Sequence, residues 1–295
     1  MELRVPLTRP QLQFLSSTAT HRLFVGGVGS GKTFVGAWYA ALELAKGGVG
    51  FIGANTERQL ARVVVPPVLG NLEALRLPYV YGKAPPAAWG RSRFTRHDSV
   101  LSVLAGGGLS QAVCGQLTNY DVHRGIEIRW MWLDETRDTK EEAFDVLLGR
   151  RRGFGDGPYP VAVTTTPNGF NWLYERFISD GDRALRSRHV VAASTFTNRF
   201  LPKAYADGLL KAYSATLARQ EVYGEFITLA SGRAYAEFSR ADHVDASIEY
   251  DPRLPLVHSW DFNVNPLCSI IAQPVGRKCV NVIDEIHIEG SARTL

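Results

Sequence analysis

The sequence predicts an α/β fold, a mainly parallel sheet flanked by helices, with a small antiparallel β-meander after it. Three observations carry this. Apolar, β-branched runs alternate with helix-like segments through most of the chain. A glycine-rich loop separates the first run from the first helix. Near residue 254 the alternation gives way to three strand-like runs joined by short turns.

The first strand is Leu23-Phe24-Val25, and the helix over residues 33–45 sets Val35, Trp38, Tyr39 and Leu42 at helical spacing, a face to bury. A strand at residues 49–52 and a helix at 57–65 follow; Pro66-Pro67 is expected to stop that helix, because proline donates no amide and crowds the preceding turn. GKAPPAAWG reads as loop, and SRFTRHDSVLSVLAGGG as a hairpin or a pair of edge strands. IRWMWLDE gives a strand, residues 139–148 a helix, and YPVAVTTTP a strand ending at its threonines. Beyond Asn198 a helical pattern puts Tyr205, Leu209, Tyr213, Leu217 and Tyr223 on roughly one face. The polar stretch 231–253 is an expected linker between a first domain, 1–230, and a second, 254–295, formed by LVHSWDFNV, CSIIAQPV and CVNVIDEIHI.

With 295 residues, 45% hydrophobic and 21% charged without long like-charge blocks, the chain has the material for a packed core, which excludes a disordered polymer. No window approaches the roughly 18 apolar residues of a membrane span. MELRVPLTRP lacks the apolar core of a secretory signal, so the cytoplasm is the expected compartment. Cys114, Cys268 and Cys279 are far apart and odd in number, suggesting neither a disulfide framework nor a zinc site. The net charge of +4 leans weakly toward a polyanionic partner. Of the 33 basic residues only seven are Lys, so Arg, suited to bidentate phosphate contacts, predominates.

GGVGSGKT fits the P-loop pattern in full, between a strand and a helix as that pattern requires. Gly26, Gly27, Val28, Gly29, Ser30 and Gly31 bring backbone N–H groups toward phosphates, Lys32 reaches the β- and γ-phosphates, and the Thr33 hydroxyl is a ligand for Mg²⁺. ATP and Mg²⁺ are therefore the expected ligands. WMWLDE delivers Asp134 at a strand end to hold the metal shell, and Glu135 to polarise a water for attack. Thr164, Thr165 and Thr166 end the next strand at the edge where α/β folds bind ligands; they either sense the γ-phosphate and couple its loss to movement, or simply fill a strand end.

Together these residues resemble the large terminase subunit of tailed bacteriophages, the ATPase that pumps double-stranded DNA into a capsid. RPQLQFL, GGVGSGKT, HRGIEIRWMWLDE, TTTPNG and TNRFLPKAYADGLLKAYSATLARQEVYGEF with SGRAYAEF behind it share that family's order and spacing. The resemblance implies a P-loop ATPase in which Gln11 lies in the adenine-recognition segment, Lys32 and Thr33 hold phosphate and metal, Asp134 and Glu135 are the metal-side and catalytic acids, and the threonine stretch couples hydrolysis to DNA movement. Arg124 is then a candidate finger offered to a neighbouring subunit, or else a surface partner of Asp121 three residues earlier. Arg150-Arg151-Arg152 is an alternative finger, a DNA contact or a solvated helix end. The implied partners are double-stranded DNA bound without sequence preference, the capsid portal protein, the small terminase subunit and further copies in a homo-oligomeric ring, with no membrane. The implied location is the host cell cytoplasm, transiently on the procapsid and not in the mature virion.

The final meander resembles the opening of that family's RNase H-like nuclease domain, with Asp261 the first of the carboxylates that gather two Mg²⁺ or Mn²⁺ ions to cut DNA concatemers. Asp284 and Glu285 either join it from the third run or are ordinary strand-end residues. One acid cannot assemble a two-metal site, so an incomplete, truncated nuclease is expected. A DNA helicase or other nucleic-acid ATPase is the alternative reading, and a scaffold that binds nucleotide without splitting it is a third.

Overall fold

The computed structural model describes residues 3–154, 157–227, 243–245, 247–261, 267–276 and 279–288. The chain forms two compact units, Met1–Leu229 and Ala230–Leu295.

In the first unit, α1 (Arg9–Ser16) starts at a capping box: the Thr8 hydroxyl accepts from the Gln11 amide while the Gln11 side chain accepts from the Thr8 amide. Then come β1 (His21–Gly26), α2 (Lys32–Lys46) and β2 (Val49–Ala54). The helix expected at 57–65 does not stop at the prolines. A short α3 (Glu57–Gln59) widens into a π-turn over Leu60–Val64, and α4 (Val65–Ala74) carries the prolines in its first turn. The helical path is continuous through that π-turn, where the Val65 amide reaches back to the Leu60 carbonyl, so the prolines sit where the backbone has already left the α register and do not end it. β3 (Tyr79–Tyr81), β4 (Val100–Ala105), β5 (Gly108–Gln116) and β6 (Trp130–Asp134) follow, then α5 (Glu141–Leu148), β7 (Val161–Thr165), α6 (Trp172–Phe177) and β8 (Arg188–Ala193). The tyrosine- and leucine-bearing run beyond Asn198 breaks into α7 (Lys203–Ala212) and α8 (Ala215–Glu221), because the Ser214 hydroxyl caps a fresh helix.

The eight strands form one sheet in the order β3-β4-β5-β2-β6-β7-β1-β8. From β5 to β8 every neighbour is parallel; β3, β4 and β5 pair antiparallel, and the hairpin of β4 with β5 lies further along the chain than the stretch 92–108 expected to form it, with β5 inside the sheet rather than at its edge. β6 is buried on both faces, Trp130 and Trp132 in one cluster with Phe24, Tyr39 and Ile52, Met131 and Leu133 in the other with Phe144, Val163 and Phe177. This is why it reads as a continuous apolar run.

Two glycines make room for the indoles. A Cβ on Gly50, the β2 partner of Trp130, would fall inside the Trp130 ring, and one on Gly36 of α2 inside that of Trp132. Gly50→Ala is therefore expected to destabilise this unit by about 3 kcal/mol through overpacking. A urea midpoint unchanged from the parent would show that the ring does not lie there.

The second unit has β9 (Val257–Asp261), β10 (Leu267–Val275) and β11 (Cys279–Ile288), an antiparallel sheet with β10 in the middle. The buried Gln273 side chain accepts from the Asp251 amide and donates to the Asp251 and Leu254 carbonyls, so the end of the stretch expected as linker is fastened to β10. Residues 231–242 of that stretch, and SGRAYAEF, lie outside the described residues.

Candidate active site

β1 delivers the glycine-rich loop to the carboxyl edge of the sheet, and α2 begins at Lys32 with Gly31 as its cap, at φ 88° where a side chain would be strained. The loop's backbone is tied down from one side. Val28 N–H donates to the Glu221 carbonyl (2.7 Å), and the Val28 carbonyl accepts from the Thr195 hydroxyl (2.7 Å). The Gly29 carbonyl accepts from Asn198 Nδ2 (2.6 Å). Gly27 packs so closely on the Val222 carbonyl that no Cβ would fit.

The buried Lys32 ammonium donates to the Gly26 (3.0 Å) and Gly27 (2.9 Å) carbonyls. Burial pulls its proton affinity below the ordinary lysine value; Glu135, Asp134 and Glu221 oppose this and Arg137 adds to it. Val28, Gly29, Gly31, Lys32, Thr33, Glu135 and neighbours line an open cavity of about 330 Å³. Ser30 faces away, its hydroxyl buried.

Asp134 sits opposite Thr164 in the β6–β7 register, fully buried. Its carboxylate accepts from the Thr33 hydroxyl (2.8 Å) and from the Thr164 hydroxyl (2.6 Å), and Thr164 in turn accepts from the Trp132 indole N–H (2.8 Å). Burial pushes this carboxyl up to about 6, against the pull of both hydroxyls. Mg²⁺ favours hard oxygens, taking one or two from protein and the rest from phosphate and water. A hydroxyl and a carboxylate in contact at the loop mouth fit that ion, although the described residues hold no cluster of three or more acidic, His or Cys ligands.

Glu135 adopts φ 50° and ψ 53°, a left-handed conformation rare outside glycine. Its amide donates to the Thr164 carbonyl (2.7 Å), its carbonyl accepts from Asn55 Nδ2 (2.9 Å), and its carboxylate accepts from the Thr166 amide (3.2 Å). Asn55 also accepts from the Thr139 hydroxyl. Of the three threonines, only Thr166 lines the phosphate-sized cavity; the hydroxyls of Thr164 and Thr165 turn inward, to Asp134 and to the Thr166 carbonyl.

Gln11 lines a second cavity of about 280 Å³ together with Pro6, Gly31, Phe34, Asn198 and Phe200. Its amide is already engaged: the oxygen takes the Thr8 amide and the nitrogen donates to the Gly31 carbonyl (3.3 Å). The two cavities share Gly31 and Phe34, so a flat apolar group and a chain of phosphates would lie end to end.

Arg124 is not brought to this site. It pairs on the surface with Asp121 (2.8 Å), and its carbonyl accepts from Arg150. Arg151 donates to the Tyr159 carbonyl (2.6 Å) and Arg152 pairs with Glu127 (3.1 Å), so all three residues of that cluster have structural contacts. In the second unit Asp261 pairs with Cys268, which pairs with His287. Asp284 belongs to the row of Ile271, three residues along β10 and hence on the opposite face; Glu285, in the row of Ile270, shares the face of Asp261 but is displaced by two strands.

Sequence reasoning passed over Asn55, Arg137, Thr195, Asn198 and Glu221. Only Arg137, two positions beyond Glu135, carried a local signal. The others are near the loop solely because of the fold.

The family model described as "Terminase large subunit, T4likevirus-type, N-terminal" matches residues 23–242. No curated protein matches the chain. Among solved structures, the large terminase of a thermophilic bacteriophage in complex with ADP is 18% identical, with TM-score 0.64 over 96% of this chain and 69% of that one. The large terminase ATPase domain of Thermus phage P74-26 is 20% identical, with TM-score 0.55 over 76% of this chain and 96% of that one. The large terminase of bacteriophage HK97 is 12% identical, with TM-score 0.52 over 96% and 63%. At these identities the likeness speaks for the fold, while the family match spans the P-loop, both acids and the threonine stretch: this chain belongs to the terminase large subunit family.

Proposed function

We propose that this chain hydrolyses ATP to drive double-stranded DNA into a procapsid. The observation that carries the reading is the hydroxyl–carboxylate chain Thr33–Asp134–Thr164 at the mouth of the P-loop, with Glu135 beside it, in a member of the terminase large subunit family. The cavity beside Phe34 receives the base, Gln11 shaping its wall, and the loop amides with Lys32 receive the phosphates. Thr33 and Asp134 would hold Mg²⁺, which when bound neutralises phosphate charge. Glu135 takes the proton of the attacking water, and its bond to the Thr166 amide ties that acid to the threonine stretch, the coupling element.

Arg124 is presented to a neighbouring copy. Its exposed pair with Asp121 is worth less than about 1 kcal/mol, so a phosphate can readily replace the carboxylate. The partners are duplex DNA held through its phosphates, the portal protein, the small terminase subunit and further copies in a ring, in the host cytoplasm and transiently on the procapsid. The second unit is RNase H-like in kind, with Asp261 as a ligand for Mg²⁺ or Mn²⁺.

The test is phosphate release with magnesium, linear duplex DNA and empty procapsids, followed by nuclease digestion. Hydrolysis that rises with DNA and procapsids, leaving DNA protected from digestion, is the expected result. Strand separation on a forked duplex without protected DNA would replace this reading with a helicase, and nucleotide binding without phosphate release would leave a scaffold.

A further inference from the structure

Arg137 lies on the single turn Thr136–Asp138 that follows the strained Glu135. Its guanidinium donates to Glu221 Oε1 at 2.8 Å and lies 3.6 Å from Asp138. The pair with Glu221 is largely shielded, the side chains being 28% and 13% exposed. Glu221 closes α8, and its own carbonyl accepts the Val28 amide of the P-loop. A single residue thus grips the loop with its backbone and the turn beyond the catalytic acid with its side chain. Gln220 Nε2 also donates to that carboxylate (3.1 Å). Although burial opposes it, the bond and charge of Glu221, with Glu135 and Asp138 behind them, hold the Arg137 guanidinium above its ordinary proton affinity. Arg137 in turn depresses Lys32, so these groups share one field beside the phosphate cavity.

A triphosphate adds several negative charges to that field. Guanidinium binds phosphate oxygens as readily as carboxylate oxygens, in the same forked geometry. We propose that Arg137 is a positioning residue that senses the terminal phosphate and reports it to α8 by exchanging Glu221 for phosphate oxygen. With the pair broken, α8 stays fastened to the loop through Val28 and is released from the acid turn; when phosphate departs, the pair re-forms. The two arrangements differ in charge pairing, as a ligand-driven switch requires. This rests on the ATPase reading above.

The test is hydrogen exchange over α8 in the full chain, with magnesium and either ADP or ATP-γ-S. In the parent, α8 is expected to exchange about tenfold faster with ATP-γ-S than with ADP, as local opening becomes easier. Arg137→Ala and Glu221→Gln should each abolish the difference, and Arg137→Lys, which keeps the charge without the fork, should reduce it while protecting against a folding failure of the alanine variant. The exchange Arg137→Glu with Glu221→Arg restores an ion pair but puts the cation on α8; it should recover the thermal midpoint and not the nucleotide response. Recovery of that response, or its survival in Arg137→Ala, would make the pair merely structural and overturn the proposal. A parent that hydrolyses ATP yet shows equal exchange in both nucleotides would overturn this inference alone, whereas a parent that binds neither nucleotide would remove the ATPase reading with it.

Discussion

Glu135→Gln is expected to lower the turnover of ATP by about a thousandfold while leaving nucleotide affinity within about twofold, because it removes a proton acceptor and keeps the shape. The structure gives that residue an unusual hold. Its left-handed backbone costs about 1 kcal/mol or more, and three hydrogen bonds, from Asn55, to Thr164 and from Thr166, keep it there. Glutamine can adopt the same conformation and still accept from Thr166. Single-turnover phosphate release beside equilibrium binding of a fluorescent nucleotide measures both quantities. Turnover within tenfold of the parent would take the base assignment from Glu135.

Asp134→Asn should separate stability from function. The native carboxyl is raised from 3.8 to about 6, so the folded chain binds this proton more tightly than the unfolded chain does. The sign follows: the ionised carboxylate opposes folding, with no cost below about pH 4, a growing one through pH 6, and up to about 3 kcal/mol beyond it, at 1.36 kcal/mol per pKa unit. Asparagine cannot ionise and still accepts a hydroxyl. The variant should therefore unfold at higher urea than the parent at pH 8 and at the same urea at pH 4, while losing magnesium-dependent hydrolysis by about a hundredfold or more. Equal midpoints at pH 8 would mean that the carboxylate is not desolvated. Full hydrolysis would mean that it does not serve the metal.

What could be read in advance was local. The P-loop declares itself because glycine spacing, strand and helix are contiguous, and Asp134-Glu135 because a doubly buried strand is a continuous apolar run. Pro66-Pro67 misled because proline's meaning depends on its place in a helix, and the π-turn ahead of it leaves no periodic trace. β8 was passed over since an edge strand, half-buried over His189 and Val190, shows no strong alternation. The threonines end their strand at the sheet edge as expected, but which hydroxyl faces the cavity was not legible, because Trp132 and Asp134 engage Thr164 from the neighbouring strand. Glu221 was invisible for a similar reason: its partner Arg137 is 84 positions away in sequence.

The three-residue β3 at one end of the large sheet has a consequence for assembly. It is followed at once by Gly82, at φ 68°, and shortly by Pro85-Pro86, so that border offers only a stub of unpaired amides, cut short by a turn and by prolines that cannot donate. An edge this short disfavours growth by adding strand to strand. Any contact across that border falls to side chains, which guards against runaway edge-to-edge growth.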